Sequence, residues 1–521
     1  MKYDLDLKAG LDLWRSELYG DWYRDPWAWP ELAWLEKSLS KVEIDSYLES
    51  KNRTVQLRTL PFFHLVDIPK SRLGIRPAVV QDPLSRWLYL SAVASSAATL
   101  HQSLAKFVYG WRVRDAGKPE RNGPEWGKYI EWIRIGGKLE SALQTDVTSC
   151  FASIEINRLA EELRQRLGNK APAHLMIQVG QAHDALSNRS GLPQRSFGSA
   201  IVANYFLTPI DDCLTEAQRA GKVKIVTRWM DDITAFGIDS ALYELFLDIQ
   251  QVMRSVGLEA NSAKSVLVAG AQAVDAVDLE HGEPLKIRSV KFVGSAGFEV
   301  DYDQKDVDRV LNLEREVLDK GGAEGKHAIK KILLTLRNAE LFDRHDEWLS
   351  VAHQMPHAAD SLGRFFRAAA LCGEDPEAKW RELQEWLVDF YGQPWSRVPW
   401  VRAQLALSVP VEQVGKSILN VMEGWLADSD DVQLVAVAAQ RLAARAPETC
   451  RSIISGRADR VTDPLLQRVL GLAVLATGSN RNLAQKLVRR DQTNQILAQA
   501  LEDNGWAAPP ISSDFDEGPD A

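Results

Sequence analysis

Lys224-Ile225-Val226-Thr227-Arg228-Trp229-Met230-Asp231-Asp232-Ile233-Thr234-Ala235-Phe236-Gly237 is the stretch that decides the fold. Polar and apolar residues alternate on either side of Met230-Asp231-Asp232, which predicts two strands joined by a tight hairpin with the acidic pair at its turn. Two adjacent carboxylates at a hairpin tip repel each other unless a cation sits between them, and a divalent metal is the natural resolution. Two further Asp-Asp pairs, Asp211-Asp212 and Asp430-Asp431, fall in helix-like surroundings and read as solvated surface.

A third carboxylate lies upstream. Leu143-Gln144-Thr145-Asp146-Val147 reads as a strand that runs into Thr148-Ser149-Cys150-Phe151-Ala152-Ser153-Ile154. An Asp at the exit of one strand, beside an acidic hairpin on a neighbouring one, can hold two Mg²⁺ ions roughly 3.5–4 Å apart. That arrangement suits in-line phosphoryl transfer, with one metal activating a 3′-hydroxyl and the other steadying the leaving pyrophosphate. Positioning and charge neutralisation then carry the catalysis, without a covalent nucleophile.

Other segments fall in order around this pair. Ile68-Pro69-Lys70 precedes Arg76-Pro77, and Tyr109-Gly110-Trp111-Arg112 follows. Asp146 is succeeded five residues later by the aromatic Phe151. Gly191-Leu192-Pro193-Gln194 leads through Gly198-Ser199 to Asn204-Tyr205-Phe206-Leu207, a loop entering a helix. Gly257-Leu258-Glu259-Ala260-Asn261-Ser262-Ala263-Lys264-Ser265 and Phe292-Val293-Gly294 come after the acidic hairpin. This ordered series resembles the fingers and palm motifs of reverse transcriptases.

The resemblance implies roles residue by residue. Asp146, Asp231 and Asp232 would be catalytic and, together with Val147, would hold two Mg²⁺ ions, for which Mn²⁺ is a substitute. Lys70 and Arg76 would pair with the triphosphate of an incoming dNTP. Phe151 would lie under the sugar and leave no room for a 2′-hydroxyl. Gln194 would order the nucleotide or template. Lys264 would give a proton to departing pyrophosphate, with a plain helix-end cation as the other reading. Two residues depart from the family pattern: Arg195 stands where a Gly usually follows the Gln, and Trp229 replaces the usual Tyr or Phe beside the acidic pair.

The chain has 521 residues, more than one typical core, so two or three domains are expected. Its net charge of −9 and pI near 5.6 are unlike those of a general nucleic-acid binder, which carries a broad basic face. A basic cleft on an acidic body, or a short bound nucleic acid, is expected instead. The four scattered cysteines suggest neither a zinc site nor a disulfide framework. With no apolar run of transmembrane length and no signal-peptide pattern, no membrane association and a cytoplasmic location are expected.

The flanks differ in kind. Trp14, Trp22, Trp27, Trp29 and Trp34 crowd the N-terminal segment, which predicts a short helical cap packed on the polymerase block; few cations accompany these rings, so packing is preferred to base stacking. Beyond residue 305 helix follows helix. Val307, Val310, Leu311, Val317 and Leu318 line one that should stop at Gly321-Gly322, another covers Val432–Leu442, and Pro447 should begin the next. Asp463-Pro464 reads as the N-cap of a helix ending near Gly478.

The expected fold class is α+β, a right-hand polymerase palm and fingers built of an antiparallel sheet plus helices, followed by an all-α helical-repeat domain. The expected boundaries are 1–64 for the cap, 65–304 for fingers and palm, 305–506 for the repeats and 507–521 for an acidic disordered tail. A reverse-transcriptase core with such a helical domain resembles the defence-associated, abortive-infection type of bacterial reverse transcriptase. That resemblance implies RNA-directed or untemplated DNA synthesis in antiphage defence, priming from a protein hydroxyl, a short nucleic acid (a DNA product or RNA) as partner, and a homo-oligomer, trimeric or hexameric. The alternatives are a templated enzyme copying a dedicated non-coding RNA, and a non-catalytic polymerase-like scaffold that binds a phage or host protein.

Overall fold

The computed structural model describes residues 3–18, 22–71, 73–113, 122–194, 196–281, 289–294, 297–320, 325–373, 375–478 and 481–511. The N-terminal segment contributes α1 (Leu7–Leu18), α2 (Pro30–Ser38) and a hairpin of β1 (Leu48–Lys51) and β2 (Thr54–Leu57). A second hairpin, β3 (Phe63–Pro69) with β4 (Ile75–Gln81), pairs Ile68 with Arg76 and closes through Lys70 N–H donating to Gly74 C=O at 2.7 Å. α3 (Pro83–Leu100) follows, capped by Asp82, whose carboxylate accepts from Ser85 N–H. Apolar residues on every side bury almost all of α3, so it becomes the central rod of this half.

A five-stranded sheet holds the order β5-β7-β8-β6-β9. Its strands are β5 (Val108–Tyr109), β6 (Ser141–Thr145), β7 (Val223–Trp229), β8 (Asp232–Gly237) and β9 (Val266–Ala269). All pairings are antiparallel except β5 with β7. The helices between them are α4 (Asn122–Gly136), α5 (Cys150–Ser153), α6 (Ile156–Leu167), α7 (Ala171–Asp184), α8 (Phe197–Phe206), α9 (Thr208–Arg219) and α10 (Asp239–Ser255), with α11 (Gly270–His281) after β9. A third two-stranded sheet, β10 (Ser289–Gly294) and β11 (Gly297–Tyr302), contains Phe292-Val293-Gly294.

The register assigns the two faces of the sheet, because directly opposed residues share a face. Leu143, Val226, Ile233 and Ala235 lie on one face and join the main core, together with Leu242 and Leu245 of α10. Tyr109, Ala142, Trp229 and Phe236 lie on the other and form a smaller core with Tyr129, Ile130 and Ile133 of α4 and Ala273 of α11. Asp232 opposes Trp229 on that second face. Asp146, one residue beyond Thr145, which opposes Ile233, falls there too.

The rest is helical: α12 (Gln304–Lys320), α13 (Lys326–Asn338), α14 (His345–Val351), α15 (Ala359–Cys372), α16 (Pro376–Gly392), α17 (Pro399–Ala406), α18 (Lys416–Asp428), α19 (Val432–Arg445), α20 (Pro447–Arg457), α21 (Pro464–Ala476), α22 (Arg481–Val488) and α23 (Gln495–Asp503). α13, α15, α17, α19 and α21 stack one on the next as one layer, and α16, α18 and α20 form a second against it. Such alternation is the geometry of a helical repeat. The expected starts at Pro447 and Asp463-Pro464 are found, with Asp463 accepting from the N–H groups of Leu465 and Leu466. α12 ends at Lys320, and Gly321-Gly322 lie outside the described residues, as does the chain beyond 511. No helix among the described residues is long and apolar enough to cross a membrane.

Two expectations need correction. The N-terminal segment is not only a helical cap on the sheet-containing block. It carries the β1–β2 hairpin, and it bridges that block to the helical domain. Trp14, Trp22, Trp27 and Trp29 are buried. Arg468 of α21 is also fully buried, bound by Asp25 and by Glu31 (2.6 Å), with its guanidinium 4.6 Å from the Trp29 ring centre. On the other side, Arg86 of α3 pairs with Glu17 at 2.8 Å. Nor are the two outlying Asp-Asp pairs both solvated surface: Asp431 caps α19 by accepting from Leu434 N–H, and Asp211 is buried.

His101, just after α3, is held neutral by its contacts. Its Nδ1 accepts from Val113 N–H at 3.0 Å, which leaves Nε2 to donate to Ile201 C=O at 2.9 Å. Burial, reinforced by the nearby Arg112 and Arg228, pushes its pKa down to about 4. A depressed imidazole stabilises the fold fully above its unfolded value of about 6.5, and that stability is lost as pH falls through the folded value. The contribution at stake is roughly 3 kcal/mol. We expect the melting temperature of His101→Asn to fall less steeply than that of the unsubstituted chain between pH 7 and pH 4; parallel pH profiles would contradict this.

Candidate active site

The β7–β8 hairpin turns over Met230 and Asp231, with Trp229 opposite Asp232. Met230 has a φ of 55°, in the left-handed region that an unbranched but bulky side chain adopts only at a cost. The side chain that holds this turn in place is Arg228. It is fully buried and forks onto Asp211 of α9, Nε to Oδ1 at 2.6 Å and Nη2 to Oδ2 at 2.7 Å. Its Nη1 donates to Met230 C=O at 2.6 Å and to Asn204 Oδ1 at 3.0 Å. Asn204, in α8, then donates from Nδ2 to Gly110 C=O at 3.0 Å. Three of the segments quoted from the sequence are thereby joined by hydrogen bonds beneath the acidic turn.

From the sequence Asp211 reads as surface because its surroundings are helix-like. The opposing signal lay in β7, where Arg228 shares the core-facing side with Val226, and a guanidinium placed there demands a buried acid.

Asp146 is buried at the end of β6. Its C=O accepts from Asn261 N–H, and Thr148 N–H donates to Glu259 C=O, forming an isolated bridge of Val147 with Ala260. In such a bridge the N–H and C=O of Val147 itself point away from Ala260, toward the β8 side of β6. The ammonium of Lys264 binds Asp146 Oδ2, while Oδ1 is buried without a protein hydrogen-bond partner. Lys264 closes the turn that leads into β9, so the helix-end reading of this residue does not hold.

Electrostatics tie the expected residues together. Burial raises the Asp231 carboxyl above its usual range; its own backbone N–H lowers it, Asp146 raises it further, and Lys264 and Arg76 pull it back. Partial burial works against the charge of Lys264, but the hydrogen bond to Asp146 and the fields of Asp232, Asp146 and Asp231 outweigh it, so its ammonium sits above the ordinary lysine range. Lys70 is lowered by burial and by repulsion from Arg76 and Lys264, against attraction from Asp231 and Asp146. Burial also lowers Arg76, opposed by Asp231. Asp146, Asp231, Asp232, Lys70, Arg76 and Lys264 thus share one electrostatic neighbourhood, although the segments bearing them lie far apart in sequence.

Phe151 sits in α5, half-buried against the main core. Leu192 N–H donates to its C=O at 2.9 Å, and Gly191, at φ 65°, lies so close that a Cβ there would stand 2.1 Å from the same oxygen. Only glycine satisfies both the backbone angle and that approach. The loop fastened in this way brings Gln194 to the rim of a cavity of about 330 Å³, lined also by Pro77, Ala152, His183, Arg189 and Leu192. Arg195 lies outside the described residues. Trp229 packs edge-on against Trp126 (4.7 Å) and Trp111 (5.6 Å), and Gly110, at φ 74°, leaves the space its ring fills.

Among the described residues no three His, Cys, Asp or Glu side chains close into a ready-made metal cage. The acidic group is open, with Asp232 exposed and Asp146 Oδ1 free of protein partners. Hard oxygen donors in an open array fit Mg²⁺, which is ordinarily held by one or two carboxylates plus substrate phosphates and water.

No known protein family and no curated protein matches the sequence. A solved structure of telomerase from Candida albicans, in complex with a TWJ fragment of telomeric RNA, is similar at 14% identity and a TM-score of 0.30, over 72% of this chain and 70% of that one.

Breaking the buried pair under the turn should cost stability and activity separately. Arg228→Met leaves Asp211 buried and unpaired, and should destabilise the chain by roughly 3–5 kcal/mol. Arg228→Met with Asp211→Leu should regain most of that loss in a melting experiment without regaining activity, because Met230 C=O still lacks its donor. Full activity in the double variant would show that the turn needs no such support.

Proposed function

We propose that this chain is a Mg²⁺-dependent nucleotidyltransferase of the reverse-transcriptase type, adding deoxynucleotides to a 3′-hydroxyl. One observation carries the reading: Asp146 and the Asp231-Asp232 turn meet at one edge of the sheet, with Lys70, Arg76 and Lys264 around them. A structural role does not account for that grouping, since clustered carboxylates without cations destabilise a fold.

In the reaction, the 3′-hydroxyl loses its proton to solvent, its oxygen attacks the α-phosphorus of a dNTP, one P–O bond forms, the bond to the bridging β-phosphate oxygen breaks, and pyrophosphate leaves. Asp146, Asp231 and Asp232, with the Val147 carbonyl, would hold the metal ions. Bound Mg²⁺ supplies Lewis acidity and neutralises the charge that builds on the phosphate oxygens. Arg76 offers a planar fork to the triphosphate and Lys70 a point charge. Lys264, charged at neutral pH, can neutralise the departing pyrophosphate or give it a proton. Phe151 walls the sugar, and Gln194, carried on the loop fastened to Phe151, faces nucleotide or template.

The helical-repeat domain supports the finer reading, a defence enzyme that works as a homo-oligomer and primes on a protein hydroxyl. Incubation with Mg²⁺ and labelled dNTPs, with and without RNA or primer, followed by denaturing gels before and after protease, tests it. Label that stays with the chain until proteolysis is expected; label that appears only with added template supports copying of a dedicated RNA. Asp231→Ala and Asp146→Ala should abolish incorporation, and Asp231→Ala should also remove phage protection in cells. No incorporation by the unsubstituted chain under any condition would contradict the assignment.

Phe151→Ala should weaken rejection of ribonucleotides by roughly tenfold or more, the scale of one steric contact in a pocket. Unchanged dNTP/rNTP selectivity would remove Phe151 from the sugar wall.

A further inference from the structure

Arg76 is held in an unusual way for a half-buried cation. No ion pair among the described residues fixes it; its guanidinium rests instead over the indole of Trp22, 5.4 Å from the ring centre. The distinction matters for binding phosphate. A carboxylate partner would neutralise the cation and occupy its donor fork. A ring face attracts the cation through its quadrupole and touches only the flat side, so the in-plane N–H groups stay available.

Trp22 is itself buried, and the helical domain anchors it. Its C=O accepts the indole N–H of Trp400, in α17, at 3.2 Å. Two residues on, Arg24 N–H donates to Gln433 Oε1 of α19 at 2.8 Å. The same domain also grips the hairpin that carries Arg76. α17 packs against β3, and His64 of β3 binds Asp463 at 2.6 Å while its Nε2 accepts from Val432 N–H at 3.1 Å. Arg76 and the ring beneath it are therefore both referred to α17, α19 and the start of α21.

We propose that Trp22 is a positioning residue of the nucleotide site: it presents the donor edge of Arg76 to the triphosphate, and the helical domain, through Trp400 and Gln433, sets where it stands. This rests on the polymerase reading given above. It assigns the helical domain a part in substrate affinity, although among the described residues that domain contributes no side chain to the acidic cluster. A purely structural Trp22 would instead change stability and leave nucleotide affinity alone.

Steady-state incorporation and melting temperature of Trp22→Leu, Trp22→Phe, Trp400→Phe, Arg76→Ala and the Arg76→Ala/Trp22→Leu pair decide between these. Trp22→Leu should raise the KM for dNTP roughly 3- to 30-fold, the span of a cation–π contact from exposed to desolvated, with kcat within about twofold. Trp22→Phe keeps an aromatic face and should restore most of the affinity. Trp400→Phe, which removes only the N–H among its polar groups, should shift KM the same way by a smaller factor. On the Arg76→Ala background Trp22→Leu should add less than about twofold, because the two act as one unit. An unchanged KM in folded Trp22→Leu, or the same factor persisting on Arg76→Ala, overturns the proposal. If Trp22→Leu does not fold, Trp400→Phe with and without Arg76→Ala decides by the same rule. An unsubstituted chain that adds no nucleotide overturns the polymerase reading and this inference with it, whereas normal incorporation with a flat KM overturns this inference alone.

Discussion

Three carboxylates held at one edge of a sheet, in partial burial, must be kept together against their own repulsion. Every cation around them serves that end in a different way. Arg228 works from below, fixing the turn through Met230 C=O and cancelled in its own charge by Asp211. Lys264 works from the side on Asp146. Arg76 and Lys70 act from the β3–β4 hairpin; among the described residues no carboxylate is bound to either, and so they remain open to an anionic ligand. Burial and Asp146 raise the Asp231 carboxyl more than its own backbone N–H, Lys264 and Arg76 lower it. A divalent ion there would relieve the imbalance.

The remainder of the chain holds this edge rigid. Trp111, Ser149 and Met230, in segments around it, carry left-handed backbone. Such strain persists where surrounding structure over-determines it. The N-terminal tryptophans supply part of that support, since α1 lies along α3 while Asp25 and Glu31 lock Arg468 of the helical domain. A buried ion triad of this kind contributes specificity of docking more than net stability, because desolvation offsets much of the attraction. It specifies one way for the three parts of the chain to meet, and Trp22 lies at that meeting point beside Arg76.

Much of this was legible in the sequence where local pattern and chemistry coincide. The acidic hairpin was readable because period-2 alternation flanks a turn, and the strand before Asp146 from the strand-like run beginning at Leu143. The caps at Asp463 and the start at Pro447 were readable from helix-end chemistry. Partnerships across long separations were not. Asp211 looks like any exposed helical acid until Arg228, seventeen positions on, is seen to face the core. Trp22 looks like one aromatic among many, and only the fold brings it under Arg76. The β1–β2 hairpin was missed because its Asn52-Arg53 turn, with both residues at positive φ, sits in a polar stretch without a strong strand pattern.

Metal binding tests the central claim most directly, because it asks about the acidic edge without requiring a template, a primer or a trigger. Titration of Mn²⁺ into the purified chain with a dNTP present, followed by electron paramagnetic resonance of free Mn²⁺, counts the ions bound. The account predicts two bound ions in the unsubstituted chain and loss of that binding in both Asp146→Ala and Asp231→Ala, with folding retained. Binding that is unchanged in either variant would contradict a shared metal site and the nucleotide chemistry built on it.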